Sequence, residues 1–225
     1  MSKDLEFFFN TIGSLISLAF YLLMIPPLQS SKKTRKFDEI SYLNLILSHI
    51  CAICWFCIGV ISNDYEISIP NLIFAWLSSN YIYEFYKIGL GRTEFLKTYT
   101  IVTVLSAISM LLILPQGITE FAGIIVYILF CAAPLEQLRP TFETRNPRFI
   151  DIYSTFAALL CCLSYFMYSI IAGNIVVLIP NLAGIIFALI QIIVYFWAKR
   201  MIPSSFISPL LKIDTFLSIK SSKNI

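Results

Sequence analysis

Charge is what this sequence has least of. Only 13% of its 225 residues are Asp, Glu, Lys or Arg, against about 25% in an ordinary soluble domain. With 58% hydrophobic residues and a mean hydropathy of +0.82, a water-soluble fold is excluded. Other absences narrow the function. No G-x-x-x-x-G-K-[ST] loop is present to cradle phosphates, so the chain hydrolyses no nucleotide by itself and is not read as an enzyme. No Asn-x-Ser/Thr sequon occurs. The six cysteines, Cys51, Cys54, Cys57, Cys131, Cys161 and Cys162, lie in apolar stretches with no metal-ligand spacing to histidine. They read as small packing residues, and neither a metal nor a cofactor is implied. No nucleic-acid partner is expected.

What is present is a set of seven apolar stretches, over residues 7–28, 40–61, 67–86, 98–114, 121–138, 152–172 and 175–198. A bilayer-spanning helix needs roughly 20 predominantly apolar residues. Its backbone amides must be satisfied within the segment, and the alternation of a membrane barrel strand is missing. The expectation is an all-α integral membrane protein with seven transmembrane helices. The first stretch follows Asp4 and Glu6 and has no basic leader, so it reads as a retained helix rather than a cleaved signal.

Lys and Arg counts in the loops set orientation. Lys32, Lys33, Arg35 and Lys36 follow the first stretch, Lys87, Arg92 and Lys97 the third, and Arg139, Arg145 and Arg148 the fifth. Lys199, Arg200, Lys212, Lys220 and Lys223 follow the seventh, whereas the opposite loops carry no Lys or Arg. The basic side is the cytosolic one, which puts the N-terminus outside or in a lumen and the C-terminus in the cytosol. The basic clusters read as topology determinants with some attraction to anionic headgroups.

The chain also repeats itself. Trp55-Phe56 and Ile69-Pro70-Asn71-Leu72 recur in the same register as Tyr165-Phe166 and Ile179-Pro180-Asn181-Leu182, and Pro27-Leu28 is echoed by Pro134-Leu135. A unit of three spans is odd, so a second copy points the same way only if one more span is inserted. The fourth stretch fills that place. The plan is 3+1+3: two parallel triple-helix bundles, 1–90 and 117–200, an inversion linker helix in 91–116, and a cytosolic tail, 201–225, polar enough for disorder.

Candidate binding groups come from the repeat. Asn71 and Asn181 are carboxamides within apolar stretches, costly to bury without partners, and each follows a proline that loosens its helix. Taken singly, each reads as interhelical glue; as a repeated pair they read as facing walls of a central cavity. Trp55 and Tyr165 form a matching aromatic pair. Two aromatics and two amides suit a sugar, whose apolar ring face stacks while its hydroxyls need bidentate partners. Ala52 and Cys162, one turn earlier, would set pocket size. No acidic residue falls at mid-depth, and Glu84, Glu136 and Asp151 lie at helix ends. His49 is the sole intramembrane ionisable candidate and reads as a packed neutral residue, so movement is expected to be uncoupled.

From Gly13 to about Tyr195 the chain resembles the SWEET sugar transporters. The likeness is carried by Ile40-Ser41-Tyr42, Trp55-Phe56, Pro70-Asn71, Pro134-Leu135 with Arg139, and Ile179-Pro180-Asn181. The resemblance implies that Asn71 and Asn181 bind sugar, that Trp55 and Tyr165 form aromatic walls, and that Pro27 (or Pro26) and Pro134 are hinges. Ser41 and Asp151 stand where the family has two further hinge prolines. The reading is a facilitative, bidirectional uniporter for a monosaccharide, its partners a sugar and the lipid bilayer, with homo-oligomerisation left open. The plasma membrane is expected in preference to a Golgi or endolysosomal membrane. Two rivals stand beside it. Gln29 and Gln137 favour a proton-coupled amino-acid transporter of the PQ-loop class. A cargo-sorting receptor of the same architecture would need charged groups in its cavity, which the sequence predicts to be uncharged.

Overall fold

The structure is a computed structural model that describes residues 3–23, 29, 42–87, 103 and 115–207. Apart from Thr103, the fourth expected span lies outside them, as do Pro26, Pro27 and Ser41. The described helices are α1 (Lys3–Leu23), α2 (Tyr42–Ile61), α3 (Tyr65–Lys87), α4 (Gln116–Ala132), α5 (Leu138–Thr144), α6 (Ile152–Ala172) and α7 (Ile175–Ala198). A 3-10 segment, Ala133–Gln137, joins α4 to α5, and a 3-10 turn, Pro147–Phe149, precedes α6.

Three stretches, Gln116–Thr144, Ile152–Ala172 and Ile175–Ala198, are helical, long and apolar enough to cross a membrane, and α2 adds a shorter apolar run, Leu45–Ile61. Large apolar side chains point outwards, among them Phe121, Leu160 and Ile186, the reverse of a soluble surface and one that lipid tails can cover. Polar groups on the outer face of α3 fold back onto their own helix. Ser79 Oγ donates to the Ala75 carbonyl at 2.8 Å and Asn80 Nδ2 to that of Trp76 at 2.7 Å, so neither is left unpaired in hydrocarbon.

Packing arranges six helices as a ring. α1 lies on α6, α6 on α7, α7 on α4, α4 on α2 and α2 on α3, while α3 closes on α1 by a thinner contact. Rotating the order by half the ring exchanges α1 with α4, α2 with α6 and α3 with α7, which is the two-fold relation the repeat requires. Small residues permit the close crossings. A Cβ on Gly59 would stand 2.6 Å from the Ser68 backbone nitrogen, so α2 and α3 approach through a residue that has none.

The two hairpin turns are built alike. Asn63 (φ 54°) and Gly173 (φ 67°) occupy the same repeat position in the left-handed region. The next residue caps the following helix: Asp64 Oδ1 accepts from Glu66 N and Ile67 N at 3.0 and 3.1 Å, and Asn174 Oδ1 from Val177 N at 3.2 Å. On the basic side, Leu138, Ile150, Val194, Trp197 and Ile207 form one cluster. The Arg145 guanidinium lies 4.8 Å from the Trp197 ring centroid, and Trp197 Nε1 donates to Ser204 Oγ at 3.2 Å.

These contacts correct two expectations. The tail is not polar chain throughout: its first residues turn back and bury Ile207 completely. Arg145, read only as a topology determinant, also packs by a cation–π contact. Helix bounds also differ for the fifth span, where α4 starts at Gln116 rather than Phe121. Gln116 Nε2 donates to Glu120 Oε1 at 2.8 Å, an i, i+4 pair that supports an extra turn in polar sequence.

Candidate functional site

A cavity of about 220 Å³ lies inside the ring. Ala52, Trp55, Asn71, Cys162, Tyr165 and Asn181 all line it, as does Pro134. Residues as far apart in sequence as Asn10 and Gln191 meet there because the two copies face each other across the axis.

The two asparagines share one local geometry. Asn71 Nδ2 donates to the Ile67 carbonyl at 2.8 Å, and Asn181 Nδ2 to the Val177 carbonyl at 2.7 Å, each one turn back on its own helix. That bond uses one amide hydrogen and fixes which way the carboxamide turns. Their oxygens differ. Asn181 Oδ1 accepts from the Tyr127 hydroxyl at 3.0 Å, whereas among the described residues Asn71 Oδ1 accepts no hydrogen bond. Asn181 is 2% exposed and Asn71 is half-buried.

The aromatic pair is held by contacts to the opposite copy. Trp55 stands edge-to-face on Tyr127, centroids 6.0 Å apart at 82°, and its Nε1 is buried with no hydrogen-bond partner among the described residues. Tyr165 donates to or accepts from Ser14 at 3.0 Å, and its ring lies 3.0 to 3.2 Å from where a Cβ on Gly13 would sit. Beside it Ser17 Oγ meets Cys161 Sγ at 2.8 Å. α1 and α6, which belong to different copies, are thus joined by hydroxyl and thiol groups. Cys162 Sγ sits 2.6 Å from a Cβ built on Gly184, so the glycine makes room for the sulfur at the cavity wall.

Of the hinge candidates, Pro134 lies in the 3-10 segment where the fifth span changes its winding. Pro26 and Pro27 lie outside the described residues. Asp151, which the resemblance sets in place of a hinge proline, caps α6: its Oδ1 accepts from Tyr153 N and Ser154 N at 3.1 and 3.3 Å, and its Oδ2 from Ser154 Oγ at 2.6 Å. His49 is buried away from the cavity, with Nδ1 2.9 Å from Ser78 Oγ.

The expectation of an uncharged cavity is corrected at its ends. Glu66 lines it near the hairpin side and Asp151 near the basic side. Glu66 sits in the first turn of α3, where its Oε2 accepts from the buried Asn10 Nδ2 at 2.7 Å. No other acid lines the cavity among the described residues. Tyr127 is the wall residue that sequence reasoning passed over. Aligning the copies on Pro27 and Pro134 sets it opposite Phe20, which also lines the cavity.

Comparison with known proteins agrees with this architecture. The family described as "Sugar efflux transporter for intercellular exchange" matches twice, over residues 7–89 and 118–201. Similar proteins include the bidirectional sugar transporter SWEET1a of Sorghum bicolor, 24% identical, the match covering 89% of this chain and 79% of that protein. The bidirectional sugar transporter SWEET16 of Arabidopsis thaliana is 22% identical, over 89% of this chain and 92% of its own. The mouse sugar transporter SWEET1 is 24% identical, over 82% and 87%. The fold matches a solved eukaryotic SWEET transporter with a TM-score of 0.76 at 17% identity, covering 88% of this chain and 98% of that one. The architecture is therefore that of an all-α, multi-pass membrane protein with seven helices in a 3+1+3 arrangement. With both bundles matched over more than half its length, the chain belongs to the family of sugar efflux transporters for intercellular exchange.

Proposed function

We propose that this chain is a facilitative, bidirectional sugar transporter, a uniporter that moves a monosaccharide down its gradient by alternating access. The observation that carries the reading is one cavity lined by both repeat-related pairs, Trp55 with Tyr165 and Asn71 with Asn181. In it, the carboxamides meet sugar hydroxyls, the rings cover an apolar sugar face, and Ala52 and Cys162 set the room left over. A cavity of about 220 Å³ is below the roughly 300–1,000 Å³ of pockets that bury drug-sized ligands, which favours one sugar ring over two. The sugar transport for which the family and its relatives are named supports the same substrate class.

Transport follows if the bundle of residues 1–90 rocks against that of 117–200, with 91–116 as linker, about Pro26 or Pro27 and Pro134. The basic loops favour an external or luminal N-terminus and a cytosolic C-terminus at the plasma membrane. No ion coupling is needed, because the acids lining the cavity lie at its ends and a proton relay uses an ionisable group within the membrane.

The test is radiolabelled glucose uptake by proteoliposomes holding only this protein. Expected is saturable uptake that stops at equal concentrations and is indifferent to a pH gradient or membrane potential. Accumulation that collapses when the proton gradient is dissipated would transfer the reading to a proton-coupled carrier. Failure of every hexose to enter would remove the sugar.

A further inference from the structure

The proposed site is two-fold by descent, yet its two halves differ by one hydroxyl. Tyr127 and Phe20 occupy equivalent places, each on the first helix of its copy, seven residues before the proline that aligns them. Both line the cavity. Tyr127 donates to Asn181 Oδ1 at 3.0 Å; a phenylalanine has nothing to donate. The bonds from Asn71 and Asn181 to their own helices are alike, so the difference falls on the carboxamide oxygens alone. One accepts a hydrogen bond on a nearly inaccessible residue, the other accepts none on a half-buried one.

We infer that Tyr127 is a specificity-determining residue that makes the two walls chemically unequal. On the Asn71 side the free oxygen accepts a hydroxyl proton from the ligand. On the Asn181 side the carboxamide oxygen already accepts from Tyr127, and the phenolic oxygen, 3.6 Å from Cys162 Sγ, takes over as the acceptor offered to ligand. The edge-to-face contact with Trp55, 6.0 Å between centroids, and that with Phe130, 6.1 Å at 77°, hold the phenol in this position. The Trp55 indole N–H, buried at the cavity wall with only the Cys51 thiol beside it, adds a donor to the same corner. A ligand is thus read by an accepting amide on one wall and by a phenol with an indole donor on the other. Such a pair of walls distinguishes the two ends of a polyol, which two identical amides could not.

This inference rests on the sugar reading, and its test separates the two. Glucose and its monodeoxy analogues are titrated calorimetrically into the purified full-length protein, as wild type, Tyr127→Phe and Phe20→Tyr. Each deoxy position that faces an acceptor should weaken binding roughly 5-fold to 150-fold, as expected for a ligand hydrogen bond lost in a desolvated site. Tyr127→Phe releases Asn181 Oδ1 and should change which deoxy analogue is penalised on that wall, while leaving the penalty assigned to Asn71 in place. Phe20→Tyr adds a hydroxyl at the equivalent place on the other wall and should change the deoxy pattern on the Asn71 side. A residue that only packs would shift overall affinity and leave the deoxy pattern alone. An unchanged pattern in both variants, with glucose still bound, overturns the inference and spares the transport reading. If Tyr127→Phe does not fold, the Phe20→Tyr pattern decides alone. If the wild type binds no sugar at all, both fall.

Discussion

A buried N–H with no oxygen or nitrogen acceptor costs about 1–3 kcal/mol, and Trp55 Nε1, beside the weakly accepting Cys51 thiol, is such a group. Trp55→Phe is therefore expected to leave the melting temperature unchanged or raise it, while weakening sugar binding measured by calorimetry. Lower stability with unaltered affinity would make Trp55 a packing residue only. The asparagines should separate in the same two measurements. Asn181→Ala strands the Tyr127 hydroxyl in a nearly closed space, at about 1–3 kcal/mol of stability. Asn71→Ala breaks only a bond to its own helix and should cost little stability but most of the affinity. Equal stability losses and unchanged binding in both would favour the asparagines as interhelical glue. The sequence made these four residues visible because each is polar or aromatic at a repeated position. Tyr127 has no such mark: one tyrosine in an apolar helix stands out only after the copies are aligned and Phe20 is found opposite.

At the level of helices and turns, the shared left-handed residue gives a sharper test than any side-chain contact. Gly173→Ala puts a Cβ where φ is 67° and should destabilise by about 1–2 kcal/mol. Asn63→Gly, at the equivalent place, should be neutral or mildly stabilising, because glycine carries no steric penalty there. Thermal unfolding in detergent reads both; a loss in Asn63→Gly as large as that in Gly173→Ala would show that the Asn63 side chain is needed for itself. The bounds of α6 and α7 were legible residue for residue, because Asp151, Gly173 and Asn174 spell their caps. The start of α4 was not. Its first turn is polar, Gln116 to Glu120, and holds by a side-chain pair that hydropathy cannot detect.

For the whole molecule, the odd total of seven spans, with the basic loops on one side, expects a tag after Ile225 to be reached by antibody only in permeabilised cells. A tag before Met1 should be accessible from the opposite face. Both tags on one face would contradict the family plan. That plan was readable from periodicity and the odd-span argument; the order of helices around the ring was not, since it depends on which faces interlock. The ring has a further consequence. Two identical half-chains meeting on an axis must bring the same residue to both walls, so they can supply two phenols or two phenylalanines but never one of each. Joining the halves into one polypeptide removes that obligation. A ligand without a two-fold axis would settle into a symmetric chamber in two equivalent orientations, head up or head down. With Tyr127 on one wall and Phe20 on the other the orientations differ in energy, and the traveller has a preferred way to face.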